Sequence, residues 1–369
     1  MPKKTMLLGA AAACLLLAGC SQDQHILERI GYIRTVGYDA AEAGKVQITL
    51  SIPLVVNEAN QSRSSDEVLT GEAYSSKEAR NNLSRRISRN LVSGQARTIL
   101  FSDRVAKGGL RRYMDTLMRD ASISKRTEMV IVEGSAHEII SGDYPEHPRT
   151  AQYIDRLIKK EFKTQATPNI MLHQFLRDYY DDGKDPIATM LRQRGKDLEI
   201  SGIALFQEDK YENKLEPKDI FYFSLMYGNL SKGETTLVVG IPEVESVTLN
   251  AINSKKKVRI SRSADGKYRA DIYIKLEGGL IEYNGNLKLS TSDRIKLEET
   301  LSGFISRQGQ RVVKQLQQHR TDNLGIGQYV RNKMGYKAWK DAHWDDIYAN
   351  MDIQVHAKLL IKNFGNYYD

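Results

Sequence analysis

Two periodicities in the 369-residue sequence predict a multidomain α+β fold. Apolar residues alternate with polar ones at Val46, Ile48, Leu50, Ile52 and Leu54, and again at Tyr268, Ala270, Ile272, Ile274 and Leu276. That is the period of strands with one face on a core. At Leu297, Leu301, Phe304, Ile305, Val312 and Leu316 the apolar residues return every three or four positions instead, as in a long helix packed on one side. A chain of this length holds two or three hydrophobic cores without covalent staples.

In chain order, residues 33–38 pair with the 46–54 strand across a turn at 40–44. Residues 78–91 carry Ala79, Leu83, Ile87 and Leu91 at four-residue steps, with Arg80, Arg85, Arg86 and Arg89 elsewhere on the wheel. This predicts an amphipathic helix with a basic outer surface, either a solvated face or a contact with anionic lipid. A strand over 97–101, a helix over 110–118 through Leu110, Tyr113, Met114 and Leu117, and a strand over 128–133 complete a mixed α/β N-terminal domain, residues 24–143.

Gly142, Pro145 and Pro148 then interrupt regular structure. Tyr153, Leu157, Ile158 and Phe162 predict one helix face, Ile170, Leu172, Phe175 and Leu176 a second helix, and the segment from Pro186 to Gly195 a third. Together they predict a small helical middle domain over 144–200. From 201 to 369 the pattern is that of an α+β domain. Asp265-Gly266 favours a tight hairpin turn, Val258 and Ile260 enter it, and Lys255-Lys256-Lys257 reads as a turn before that strand. Asp293 is placed to cap the long helix. Ile353, Val355, Ala357, Leu359 and Ile361 form a closing strand of an antiparallel sheet.

The N-terminal segment predicts where the protein works. Lys3 and Lys4 precede an uncharged apolar run, 6–17, that ends in Leu17-Ala18-Gly19-Cys20. The run is shorter than the roughly 20 apolar residues needed to span a bilayer, so residues 1–19 read as a cleaved lipoprotein signal. Leu17, Ala18 and Gly19 form its cleavage site, and Cys20 takes a thioether-linked diacylglycerol, the single attached group expected. Two acyl chains at about 0.8 kcal/mol per CH₂ anchor durably where one does not. Cys14 is lost with the signal and Cys20 is consumed by lipid, which leaves no disulfide, metal thiolate or cysteine nucleophile. No second apolar run of spanning length follows, so the body after Cys20 is expected to be soluble.

The formal charge of +8 is spread along the chain. It suits a protein close to anionic headgroups, where a basic residue gains about 1 kcal/mol, or a solvated surface of mild excess charge. An exported, anchored chain is not expected to meet nucleic acid. The seven histidines include no pair three or four residues apart, so no helical zinc site is written in the chain. Asp178, Asp181, Asp182 and Asp185 have the look of a calcium loop, but Tyr180 and Thr189 stand where ligands belong, and a solvated helix end is the simpler reading. Gly325-Ile-Gly327 lacks the third glycine of a dinucleotide turn and reads as a helix terminator. No Gly-x-Ser-x-Gly elbow or Walker lysine is present. No catalytic residue and no metal site are expected, so the chain reads as a non-enzymatic protein. Tyr336, Trp339 and Trp344, with Tyr348, form the densest aromatic stretch: either a hydrophobic cap on the C-terminal sheet or a surface for a partner.

The lipobox, the 34–39 strand and above all the run from Thr98 to Asp120 resemble the C-subunit lipoproteins of bacterial spore germinant receptors, the Ger(x)C family. The resemblance covers nearly the whole chain. Arg119 and Asp120 match the Arg-Asp pair that ends the family's helix near this position, Met129 to Glu133 the next strand, and Ser201-Gly-Ile-Ala-Leu-Phe206 the entry to its C-terminal domain. The Trp344 region and terminal strand are also in place. Ser21-Gln22-Asp23 stands where many members carry Trp-Asp.

The resemblance implies a three-domain lipid-anchored subunit on the outer face of the spore inner membrane, working with integral-membrane A and B subunits in nutrient-triggered germination. It implies a part in assembly and signalling, with no catalytic residue to carry over. The alternative is a solute-binding lipoprotein of a transporter, which would have two similar α/β lobes with parallel sheets around a cleft.

Overall fold

A computed structural model describes residues 29–58, 61–164, 167–264 and 266–363. The first strands are β1 (Ile30–Tyr32), β2 (Thr35–Ala40), β3 (Val46–Glu58) and β4 (Gln61–Ala73). Helix α1 (Ser76–Ser84), β5 (Asn90–Val92) and β6 (Thr98–Ser102) follow, then α2 (Asp103–Lys107), α3 (Arg111–Arg119) and β7 (Glu128–Val132). Next come α4 (Ala136–Ser141), α5 (Thr150–Thr164), α6 (Leu172–Tyr180), β8 (Ile187–Arg194), β9 (Asp197–Gln207) and β10 (Lys210–Leu215).

All of these strands except β1 and β5 form one eight-stranded sheet, ordered β10-β9-β8-β7-β6-β2-β3-β4. Its centre, β2-β6-β7-β8, is parallel and its flanks are antiparallel. Helices cover both faces of the centre, so every residue of β6 and β7 is buried, as a doubly covered parallel strand requires. Ile99, Phe101, Met129 and Ile131 enter one core, and Leu100, Val130 and Val132 enter a second with Ile139, Ile154 and Ile158. Gly37 leaves room for α4, because a Cβ there would stand 2.7 Å from Cδ1 of Ile140. Asp39 accepts the backbone N–H groups of Ala136 and His137 at the start of that helix, at 2.8 and 2.7 Å.

Four expectations change here. The segment after Pro186 is β8, not a helix: Gly195, with φ of +63°, closes a two-residue hairpin into β9 and Arg194 faces Asp197. The eight-stranded sheet therefore runs through 144–200, where α5 and α6 lie against it, and β9 crosses the line drawn between 200 and 201. Helix α1 ends at Ser84, since Leu91 is needed in β5, which pairs parallel with β1. On α5 the buried stripe is Ala151, Ile154 and Ile158, and Phe162 points outward.

The rest of the chain builds α7 (Pro217–Tyr227), β11 (Thr235–Ile241), β12 (Val244–Arg262), β13 (Tyr268–Asn284) and α8 (Thr291–Gln318). It closes with α9 (Ile326–Met334), α10 (Tyr336–Lys340), α11 (Trp344–Asn350) and β14 (Asp352–Asn363). The second sheet has four strands, ordered β11-β12-β13-β14. The predicted hairpin joins β12 and β13, with Asp265 itself outside the described residues. Lys255, Lys256 and Lys257 lie within β12 rather than in a turn. β14 runs parallel to β13, because α8 carries the chain back to the starting end of the sheet. Ser290 caps α8, and Asp293 is its capping-box partner rather than the cap.

Helix α8 also closes the outer edge of β14. Glu298 Oε1, Ser302 Oγ, Ser306 Oγ and Gln310 Oε1 accept the N–H groups of Ile361, Leu359, Ala357 and Val355 at 2.8–3.1 Å. Four helical residues rise about 6 Å and two strand residues about 6.6 Å, so the two series stay in step. The two sheets differ in strand number and pairing, unlike the matched lobes of a solute-binding protein.

Candidate functional site

The two sheets meet at a buried polar junction built from the α6–β8 loop, the turn after α8, and α11. Asp322 lies in that turn and organises it. Its carboxylate accepts N–H from Ile326 at 2.9 Å and Gly327 at 2.6 Å, capping α9, and receives the indole N–H of Trp344 at 3.2 Å. Gly325, with φ of +72°, begins the helix, so this glycine pair starts a helix rather than ending one. Asn323 donates to the carbonyls of Pro186 and Phe206, at 2.8 and 3.0 Å, and so ties the turn to the ends of β8 and β9. Backbone meets backbone at Gly183 and Gly327, where a Cβ on either would stand 2.7 Å from the other's main chain.

The acidic run 178–185 is part of this junction and not a solvated helix end. Asp178 is buried and pairs with Arg177 at 2.7 Å and Lys184 at 3.1 Å, and Tyr227 donates to it at 3.3 Å. Asp181 takes Gln328 and Arg331 at 2.6 and 2.8 Å. Among the described residues no group of three His, Cys, Asp or Glu is placed to hold a metal ion.

Burial dominates the electrostatics. It pushes the Asp185 carboxyl up to about 7, against the two backbone N–H groups it accepts from Glu208 and Asp322, which pull the other way. It pushes Asp322 up to about 6. Lys256, inside β12, turns inward and donates to the Tyr227 carbonyl at 2.9 Å; burial, then the nearby Lys184, pushes it down to about 8. The junction ties the two sheets together through buried hydrogen bonds, and burial there favours the neutral forms of Asp185, Asp322 and Lys256.

The predicted site residues are distributed unevenly. Leu17, Ala18, Gly19 and Cys20 lie outside the described residues. Trp339 is buried, and Trp344 packs between it and Tyr348, with ring centroids 5.3 and 5.8 Å away. Tyr336, 61% exposed, is the member of the stretch that faces outward, under the Lys340 ammonium. The role of Asn323 was missed because its partners stand 117–137 positions away, and that of Asp322 because Gly325-Ile-Gly327 reads as a helix end rather than the start that Asp322 caps. Asp322-x-x-Gly325-Ile-Gly327, an acceptor just before a glycine-flanked helix start, was the available signal.

Residues 23–193 match the family model "Spore germination protein N-terminal domain" and residues 201–365 match "Spore germination B3/ GerAC like, C-terminal". The chain is 23% identical over 353 residues to the Bacillus cereus "Spore germination protein GerQC", covering 95% of this chain and 96% of that one. It is 20% identical over 373 residues to the "Putative spore germination protein YfkR" of Bacillus subtilis (strain 168), covering 96% and 95%. Among solved structures, "Crystal Structure of the GerBC protein" superposes with a TM-score of 0.59 at 15% identity, over 89% of this chain and 97% of that chain, a likeness of fold. The two models between them take in most of the sequence, and the chain belongs to the Ger(x)C family of spore germination proteins.

Proposed function

We propose that this chain is a non-enzymatic, lipid-anchored subunit of a germinant receptor. Diacylglycerol on Cys20 holds it at the outer face of the spore inner membrane, where it supports assembly and signalling by the integral-membrane A and B subunits. The observation that carries the reading is the pair of family matches, over 23–193 and 201–365, behind an N-terminal Leu17-Ala18-Gly19-Cys20. Among the described residues no helix is long and apolar enough to cross a membrane, so a lipid on Cys20 supplies the attachment this role needs.

A subunit of this kind biases a conformational equilibrium only through contacts that differ between resting and triggered states. The junction around Asp322 supports that reading, because a load applied to one sheet reaches the other through short buried bonds. Crosslinking in spore membranes, followed by identification of co-purified proteins, tests it. Recovery of the receptor's own integral-membrane subunits is expected. Recovery of a transporter permease instead would contradict it.

A further inference from the structure

The outer face of the four-stranded sheet carries a row of lysines that the chain only partly balances with acidic residues. Lys255 of β12 stands directly opposite Lys275 of β13, and Lys275 directly opposite Lys358 of β14. All three are exposed on the face away from α8. Adjacent strands lie about 4.8 Å apart, so the three lysine Cα atoms lie within about 10 Å of one another, a row of like charges that destabilises a sheet.

The next two rows add Lys257, opposite Tyr273, and Arg259, opposite Asp271, whose carboxylate is taken by Arg269 and His356. Lys275 has one acidic neighbour, Glu277 at 3.3 Å, which also serves Lys362 at 3.5 Å. Among the described residues Lys255, Lys257 and Lys358 have no carboxylate partner. Tyr273 sits in the middle of the face, 38% exposed, with the Arg259 guanidinium 5.1 Å from its ring centre. An amphipathic ring among lysines whose stems reach outward is the composition of a headgroup-level contact.

We propose that this sheet face docks on anionic phospholipid headgroups. Charge complementarity carries the inference: a repulsive lysine row, of which only Lys275 has an acidic neighbour, gains stability when phosphates from outside neutralise it. It rests on the anchoring reading for one point alone, that a bilayer is within reach. The face and the anchor are separable, since the face binds by charge and Cys20 by acyl chains.

The test uses the chain from residue 21 onward, which keeps every described residue and lacks the lipid site, in co-sedimentation with vesicles. Binding is expected to phosphatidylglycerol–phosphatidylcholine vesicles and not to pure phosphatidylcholine, and it falls as salt rises. The triple variant Lys255→Gln, Lys275→Gln, Lys358→Gln should bind about 100-fold more weakly, from about 1 kcal/mol per lysine. Lys196→Gln, Lys232→Gln, Lys337→Gln removes the same charge from elsewhere and should retain binding. Equal loss in both triple variants, equal binding to neutral vesicles, or tighter binding to an oligonucleotide would overturn the proposal. A full-length Cys20→Ala chain that stays on membranes would count against the anchor and leave this result standing.

Discussion

Asp185 and Asp322 hold each other by main chain and side chain together. The Asp185 N–H donates to the Asp322 carbonyl at 3.0 Å, and the Asp322 N–H donates to Asp185 Oδ2 at 2.7 Å. This reciprocal pair joins a loop entering the larger sheet to the turn leaving the long helix of the smaller one. Asp322 is buried and Asp185 half-buried, so breaking either side strands polar groups away from water.

Asp322→Ala removes the cap of α9 and the acceptor of the Trp344 indole at once. It should destabilise the chain by about 2–4 kcal/mol, read as a lowered midpoint in urea unfolding. An unchanged midpoint would show that the junction is not a structural clasp.

Gly183→Ala should cost about 2 kcal/mol or more, because Gly183 has φ of +94° and its Cβ would meet the Gly327 carbonyl carbon at 2.7 Å. The control is Gly195→Ala, at φ of +63° with nothing within 4 Å. It should cost less, since only backbone strain is added. Thermal unfolding of the two variants checks the order.

Glu128, 4% exposed, has one oxygen with no partner, and burial pushes its carboxyl up to about 7. A raised carboxyl pKa binds protons more tightly folded than unfolded. Its contribution to stability is complete below about pH 4 and is lost as pH rises through 7. Asp185 and Asp322 share that sign. Glu128→Gln should therefore flatten the pH dependence, and between pH 4 and pH 8 the variant should gain about 2–3 kcal/mol on its parent. Denaturant unfolding across that range measures it.

Ser306→Ala deletes the acceptor of the Ala357 amide and leaves the β14 backbone open at that point. Hydrogen exchange should accelerate at Ala357 while the amides of Leu359 and Val355, served by Ser302 and Gln310, change less. The expected loss of stability is about 1 kcal/mol.

The long regular elements were legible in the sequence because their period survives in the packing. Val46, Ile48, Leu50 and Ile52 of β3, Ala270, Ile272, Ile274 and Leu276 of β13, and Leu297, Leu301, Phe304, Ile305, Val312 and Leu316 of α8 all enter the core, while Leu54 and Tyr268 are partly buried. β8 was misread as helical because it is nearly all buried along its first half, which erases the period-two signal. The parallel placement of β14 depends on where α8 delivers the chain, which no local pattern encodes. The acidic run 178–185 looked solvated because its partners, Arg177 and Lys184 apart, come mainly from residues 227–331. The Glu298, Ser302, Ser306 and Gln310 series was visible as polar residues at four-residue steps, but only the partner strand gives it meaning.

The anchored role is tested most directly by fractionating spores that carry Cys20→Ala and following their response to nutrient. The account predicts that the chain leaves the membrane fraction and that germination is impaired. A variant that germinates normally, with its protein released from the membrane, would contradict it.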